Sequence, residues 1–366
     1  MGGTIAKRPQ ALGLLFTAIT MFAVLAFGLC RPANNWDLIG YVAAASSADG
    51  HRGADLSRVT FDSLGAAVDP STFQLMTQQD DYRRTVFSDP VSLSQQLPFY
   101  RIRVAYVRTL RAIHAATGMG YPKATHVVSA AFAALSVLLL AALCREVGVP
   151  LVAVPVIAVP AGMLDIASLS SPDAMACAFA LLALLALLRR SGWLVVVAAV
   201  LPLVRTDFVL LSALLCAHAF IDYSRVRATV AMAVAVSTYL AVSHGAYGWL
   251  TLFNMSFIHK SPYPATLAPS HAFGDYLRPY VTAAMGLAMH PQGAIYGLGI
   301  FVAGFGRQPD EALADRTRFI GLLVLPAVFV VIHLVLFPAA SFRFFVFAAS
   351  AIMVWLMARV SAPAGR

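Results

Sequence analysis

Charged side chains are scarce in this chain, and several of them sit where apolar segments begin or end. Asp37 stands in Asn34-Asn35-Trp36-Asp37-Leu38-Ile39-Gly40-Tyr41, just past the first hydrophobic run. A carboxylate at a membrane boundary, beside an aromatic ring that favours that interface, can take a proton from a hydroxyl group. The same residue can instead cap the helix that follows, because an Asp there satisfies free N–H groups and complements the helix dipole. Further on, Asp165, Asp173 in Ser170-Ser171-Pro172-Asp173, Arg205 and Asp207 in Arg205-Thr206-Asp207, His259-Lys260 and Arg343 recur at the ends of apolar runs. The acids come early and the cations late. That division suits a transfer in which a carboxylate accepts a proton and cations stabilise a phosphate leaving group. Each site also has a structural role open to it. Asp173 can start a helix with Ser171 as cap, Arg205 can pair with Asp207, His259 and Lys260 can be solvated, and Arg343 can reach to headgroups.

These residues must be positioned by membrane-embedded elements. Of the 366 residues 60% are hydrophobic and 12% are charged, and the mean hydropathy is +0.76. A water-soluble domain could not cover so much apolar surface, so the expectation is an all-α polytopic membrane protein forming one unit over 1–366. The net charge of +9 is spread singly or in pairs over segment ends. That spread excludes a basic nucleic-acid face and fits topology signals and lipid contacts. Cys30, Cys144, Cys177 and Cys216 have neither CxxC spacing nor ligating neighbours, and read as packing residues.

Residues 11–30 follow Lys7 and Arg8 and lack a small-residue cleavage pattern, so they read as a retained signal anchor. Residues 31–123 form a long outward, periplasmic loop. Within it, Pro98 to Thr117 carries Ile102, Tyr106, Leu110 and Ile113 on one helical face and Arg101, Arg108 and Arg111 on the other, as in an interfacial helix. Residues 124–358 hold the remaining spans, at 124–144, 149–164, 173–188, 193–204, 207–221, 228–248, 281–303, 319–337 and 344–358, making about ten with the first. With the N-terminus in the cytoplasm, one set of loops holds Arg145, Arg189, Arg190, Arg225, Arg227, Arg307, Arg316 and Arg318, followed by Arg359 and Arg366 in the tail. The opposite set holds only Arg205, Lys260, Arg278 and Arg343, as the positive-inside rule requires. Neither an internal repeat nor paired broken helices, the marks of a transporter, are expected. His114 and His126 read as surface or packing residues, and Trp249, Tyr263, Tyr276 and Tyr280 as an interfacial belt or a lining for lipid and sugar.

In layout the chain resembles the GT-C glycosyltransferases, integral membrane enzymes that use polyprenyl-phosphate-linked sugars. The resemblance is carried by Trp36-Asp37-Leu38-Ile39-Gly40-Tyr41, Pro98-Phe99-Tyr100-Arg101, Ser171-Pro172-Asp173-Ala174, Leu203-Val204-Arg205-Thr206-Asp207 and Phe342-Arg343-Phe344-Phe345 in that order. It implies Asp37 as general base and Asp165 or Asp173 as a second acid orienting the acceptor. Arg205, His259, Lys260 and Arg343 would face the donor phosphate. A paired acidic D-x-D is absent, Asp165 and Asp173 standing alone in Leu164-Asp165-Ile166 and Pro172-Asp173-Ala174, so a divalent metal is not implied, although some relatives hold one. The implied partners are a polyprenyl-phosphate sugar, membrane lipids and a glycan, lipid or protein acceptor, and the implied place is the bacterial inner membrane. A transporter or flippase of lipid-linked saccharides and a non-catalytic assembly subunit are the rival readings.

Overall fold

The computed structural model of the protein describes residues 7–305, 313–339 and 341–361. Among these residues the chain is helical throughout, with no strand. Arg307 and Arg366 of the expected cytoplasmic set lie outside them.

Helix α1 (Lys7–Cys30) leads into a group of shorter helices: α2 (Asp37–Ala48), α3 (Gly53–Gly65), α4 (Pro70–Gln78), α5 (Asp81–Ser88), α6 (Pro90–Tyr100) and α7 (Val104–Thr117). Asp residues place three of these starts, since Asp69, Asp80 and Asp89 accept from the first-turn N–H groups of Thr72, Arg83 and Val91. The segment expected as one interfacial helix over 98–117 is broken at Arg101–Arg103, between α6 and α7. Helix α2 lies inside this group, packed against α3, α6, α7 and α8. Its residues Leu38 to Ser46 are all buried, which is why they are small or apolar on every face.

The centre of the rest is α8 (Tyr121–Val147), packed against α1 and against α10 (Met163–Ser168) and α11 (Asp173–Leu188). Alanines such as Ala130, Ala133, Ala174 and Ala180 are fully buried there, and small side chains let helices approach closely in a membrane. Helices α12 (Trp193–Val204), α13 (Phe208–Asp222) and α14 (Arg225–Ser243) pack on one another, and α15 (Trp249–Phe253) runs into a wider π turn over Asn254–Ile258. The chain closes with α16 (Phe273–Met289), α17 (Pro291–Phe305), α18 (Leu313–Phe319), α19 (Leu325–Leu336) and α20 (Val346–Ser361).

Among the described residues, five helical stretches are long and apolar enough to cross a membrane: Gln10–Cys30, Tyr121–Val147, Arg225–Ser243, Arg316–Leu336 and Phe342–Val360. Shorter apolar helices include Asp173–Leu188, Trp193–Val204 and Phe208–Asp222. The outward faces of α1 and α14 expose Leu15, Ile19, Phe22, Val226, Val230 and Leu240, a distribution that fits a multi-pass membrane protein and would aggregate in water.

Two expected spans are interrupted. The run 149–164 divides between α9 (Val154–Ala161) and α10 at Gly162, whose φ of +96° is open to glycine but strained for other residues. The run 281–303 divides at His290, which is extended (φ −95°, ψ 144°) because Pro291 follows it. The two breaks meet: Gln292 Nε2 donates to the Ala161 carbonyl at 2.7 Å. Two of the expected apolar runs are therefore broken helices, a feature the sequence reading did not include.

Candidate functional site

Asp37 is the first residue of α2 and is oriented by the turn that precedes it. Asn34 in that turn takes a left-handed conformation, φ +45°. Ala33 N–H donates to the Ser168 carbonyl at 3.0 Å, and Ser170 N–H donates to Asn35 Oδ1 at 2.9 Å. The turn is thus tied to the loop before α11. The Asn35 amide then donates from Nδ2 to Asp37 Oδ2 at 3.0 Å.

The same oxygen of Asp37 accepts a 2.7 Å hydrogen bond from Arg343 Nη1. Arg343 lies in the 3-10 turn Phe342–Phe345 that leads into α20. That turn is held by Gln292, whose Nε2 also donates to the Phe342 carbonyl at 3.1 Å. With two donors on Oδ2, Asp37 Oδ1 keeps no hydrogen bond among the described residues.

From Arg343 a line of charges runs inward. Arg343 Nε is 3.3 Å from Asp173 Oδ2, a charge contact without hydrogen-bond geometry, and Asp173 Oδ2 also accepts from Ser171 Oγ at 2.6 Å. Asp173 Oδ1 accepts from Arg205 Nη1 at 2.7 Å. Arg205 forks onto Asp207 through Nε and Nη2 at 3.1 and 2.8 Å. Asp207 Oδ2 lies 3.3 Å from His333 Nε2, on α19. The Phe344 ring lies near both guanidinium groups, 4.3 Å from that of Arg205 and 5.2 Å from that of Arg343. Charges this far from water persist because each is paired and hydrogen-bonded.

Exposure sorts the members by what they can do. Asp173 and Arg205 are 3% and 5% exposed, whereas Asp37 and Arg343 are 20% and 24% exposed. Every nitrogen of the Arg205 guanidinium donates to a carboxylate, so this residue is committed within the protein. Asp207, at the far end of the line, is 23% exposed, so the line is partly open at both ends. Of the two, the pair Asp37–Arg343 is the one that offers a carboxylate oxygen without a hydrogen bond among the described residues, beside a cation.

Aromatic rings surround that end. Tyr100 presses against Gly40, one turn along α2 from Asp37, so closely that a Cβ there would fall 2.3 Å from the ring. Tyr41 makes edge contacts with Tyr100 at 5.1 Å and Tyr106 at 4.8 Å. Burial holds the Tyr41 phenol well above the usual tyrosine range. Arg103 opposes this more than any other charge, and Asp37 adds to it. Trp36 packs on Tyr82 at 5.2 Å, and the Lys260 ammonium lies 5.8 Å from the centre of the same Tyr82 ring. Trp36 and Tyr82 therefore connect Lys260, exposed at the rim, with the residue next to Asp37.

The remaining candidates form no ion pair with the charge line among the described residues. Asp165 is exposed on α10 at the Gly162 break, where its Oδ2 and Gln292 Nε2 face the same glycine. His259 lines a separate cleft of about 350 Å³ with Asn254, Phe257, Ser270, Asp275 and Arg278. His126 Nδ1 is 3.2 Å from Ser170 Oγ, so this histidine supports the loop that holds Asn35. Trp249 and Tyr280 donate to the carbonyls of Leu336 and Val335 at the end of α19. Among the described residues no three His, Cys, Asp or Glu side chains converge as a metal site.

Asn35, His333, Tyr100 and Gln292 belong to the site without having been singled out from the sequence. His333 lies inside the long apolar run Arg316–Leu336, where an ionisable side chain is costly and marks a partner or a function. That was the available signal for it. Asn35 was legible as the polar neighbour of Asp37. Tyr100 and Gln292 carry no signal beyond their position.

Comparison with known protein families, with curated proteins and with solved structures gave no match.

Proposed function

We propose that the chain is a membrane glycosyltransferase of GT-C type, moving one sugar from a polyprenyl phosphate to a glycan, lipid or protein acceptor. The reading is supported above all by the ion pair between Asp37 and Arg343, which puts a base and a cation side by side at one partly open end of a charge line whose middle, Asp173 and Arg205, is buried. Asp37 Oδ1 receives the acceptor's hydroxyl proton. The acceptor oxygen bonds to the anomeric carbon, the bond from that carbon to the phosphate oxygen breaks, and direct displacement inverts the centre. When Asp37 takes the proton, Arg343 loses one of its two counter-charges, Asp173 being already shared with Arg205, as the leaving phosphate gains charge. The freed guanidinium then stabilises that phosphate. Asp173, Arg205, Asp207 and His333 hold Arg343 in place, and Lys260 supplies charge at the rim.

In this reading the protein is a bacterial inner-membrane protein with its N-terminus in the cytoplasm. About ten segments enter or cross the bilayer, and 31–123 faces outward. The test is Asp37→Asn, assayed in membranes with polyprenyl-phosphate sugars. Transfer should fall by about 10²- to 10⁴-fold at an unchanged protein level. Unaltered transfer would remove Asp37 from the reaction and end this reading.

A flippase for lipid-linked saccharides is the second reading, favoured by the two broken helices that meet at Ala161 and Gln292. Movement of a labelled lipid-linked sugar across proteoliposomes, unaffected by Asp37→Asn, would select it.

A further inference from the structure

Arg343 is shared by Asp37 and Asp173, and Arg205 by Asp173 and Asp207, so neither brings uncompensated charge to a ligand. Arg103 does. Its Nη1 donates to the neutral Phe99 carbonyl at 2.9 Å, and no carboxylate among the described residues lies within ion-pair distance of it. Its Nε is buried and makes no hydrogen bond among the described residues. Helix α7, which begins at the next residue, has no acid in its first turn and no side-chain cap, so nothing at this helix start offsets the guanidinium.

Arg103 is also in the right place. Its backbone N–H donates to the Tyr100 carbonyl at 3.1 Å, and the Tyr100 ring covers Gly40 and meets Tyr41. Arg103 and Gly40, one turn along α2 from Asp37, thus have a common neighbour in Tyr100, and the charges of Arg103 and Asp37 act in opposite directions on the Tyr41 phenol. Leaving a half-buried cation without a partner is costly, and an arginine fork matches a phosphate's oxygens.

We propose that Arg103 is the principal phosphate-ester contact of this site, beside Asp37 and in place of Arg205. The class of anion rests on the glycosyl-transfer reading, but binding can be measured without any sugar transfer. The full-length protein in detergent is titrated with decyl phosphate and, separately, with inorganic phosphate, with thermal stabilisation as the readout. Arg103→Gln should weaken binding by about tenfold or more, and Arg108→Gln, an exposed arginine on the same helix, should leave it unchanged. Tighter binding of decyl phosphate identifies a lipid phosphate as the ligand, and equal binding identifies a free phosphate group.

Equal affinity in wild type and Arg103→Gln, or no binding of either probe by wild type, overturns the proposal. Should Arg103→Gln fail to fold, phenylglyoxal modification of wild-type Arg103 is mapped by mass spectrometry with and without decyl phosphate. Protection supports the contact and unchanged modification refutes it. Loss of transfer in Asp37→Asn with phosphate binding intact separates this proposal from the one above.

Discussion

Arg343 Nε lies 3.3 Å from Asp173 Oδ2, and this single contact joins the open pair Asp37–Arg343 to the buried pair Arg205–Asp173. Removing the arginine leaves Asp37 without a cation, while Asp173 keeps its bonds from Arg205 and Ser171. Arg343→Gln is expected to cost about 1–3 kcal/mol of stability, the usual cost of taking one partner from a partly buried polar group. Pairing it with Asp173→Asn should recover part of that loss, with a coupling of about 0.5–3 kcal/mol in a double-mutant cycle of thermal unfolding. Strict additivity would show that the two residues do not interact.

Asn35 should be a positioning residue for Asp37. Asn35→Ala removes the 3.0 Å hydrogen bond to Asp37 Oδ2 and the acceptor for Ser170 N–H. Sugar transfer is expected to fall about tenfold while the melting temperature drops only slightly, one hydrogen bond being worth about 1 kcal/mol. Asn35→Asp is expected to act more severely, because it sets a second carboxylate against the first. Transfer rates and melting curves on the same preparations check both.

Gly40→Ala should report on the Tyr100 wall. The added methyl would come 2.3 Å from the ring, so either α2 or Tyr100 must shift, at about 1–3 kcal/mol. Tyr100→Ala in the same chain is expected to relieve the strain seen in thermal unfolding. If Gly40→Ala melts as wild type does, the close approach is absent.

Acid should weaken the tie between α2 and helices α7 and α8. Asp49, at the end of α2, accepts from Arg111 Nε at 2.8 Å and from the Tyr121 hydroxyl. Burial works against its charged form, but these hydrogen bonds outweigh it and hold the carboxyl below its usual value. A carboxylate lowered in the folded state contributes stability above its unfolded pKa of about 3.9 and loses it as the pH falls through the folded value. Asp49→Asn should therefore melt below wild type at pH 7, and the two should converge as the pH drops below about 4. A gap that persists at low pH would assign the effect to something other than charge.

The helices were legible where apolar runs were uninterrupted, as at α1, α8 and α14, and the junction at Arg205–Asp207 was legible from the polar residues that break the run. The division of 281–303 was marked by Pro291, but an apolar run on both sides hid it. Within the site, Asp37, Asp173, Arg205 and Arg343 were identifiable as charges at segment ends, and the structure brings these four together. His259 carries the same signal yet lines a separate cleft, because position along a helix end says nothing of which neighbour it faces, and Asp165 stands at the Gly162 break beside Gln292. Arg103 was invisible among the many arginines of the short-helix group. A buried Nε without a hydrogen bond among the described residues, on a guanidinium without a carboxylate, distinguishes it, and that is a property of packing.

The pair Asp37–Arg343 spans 306 positions, and a nascent chain is made from its amino end. Asp37 and Asp173 both leave the ribosome before their last countercharge, Arg343, exists, whereas Arg205 meets Asp207 two residues on. Until residue 343 is synthesised and helix α20 docks, the earliest acid stands without a cation, so the contact that joins the two ends of the chain is the last of the charge line to form.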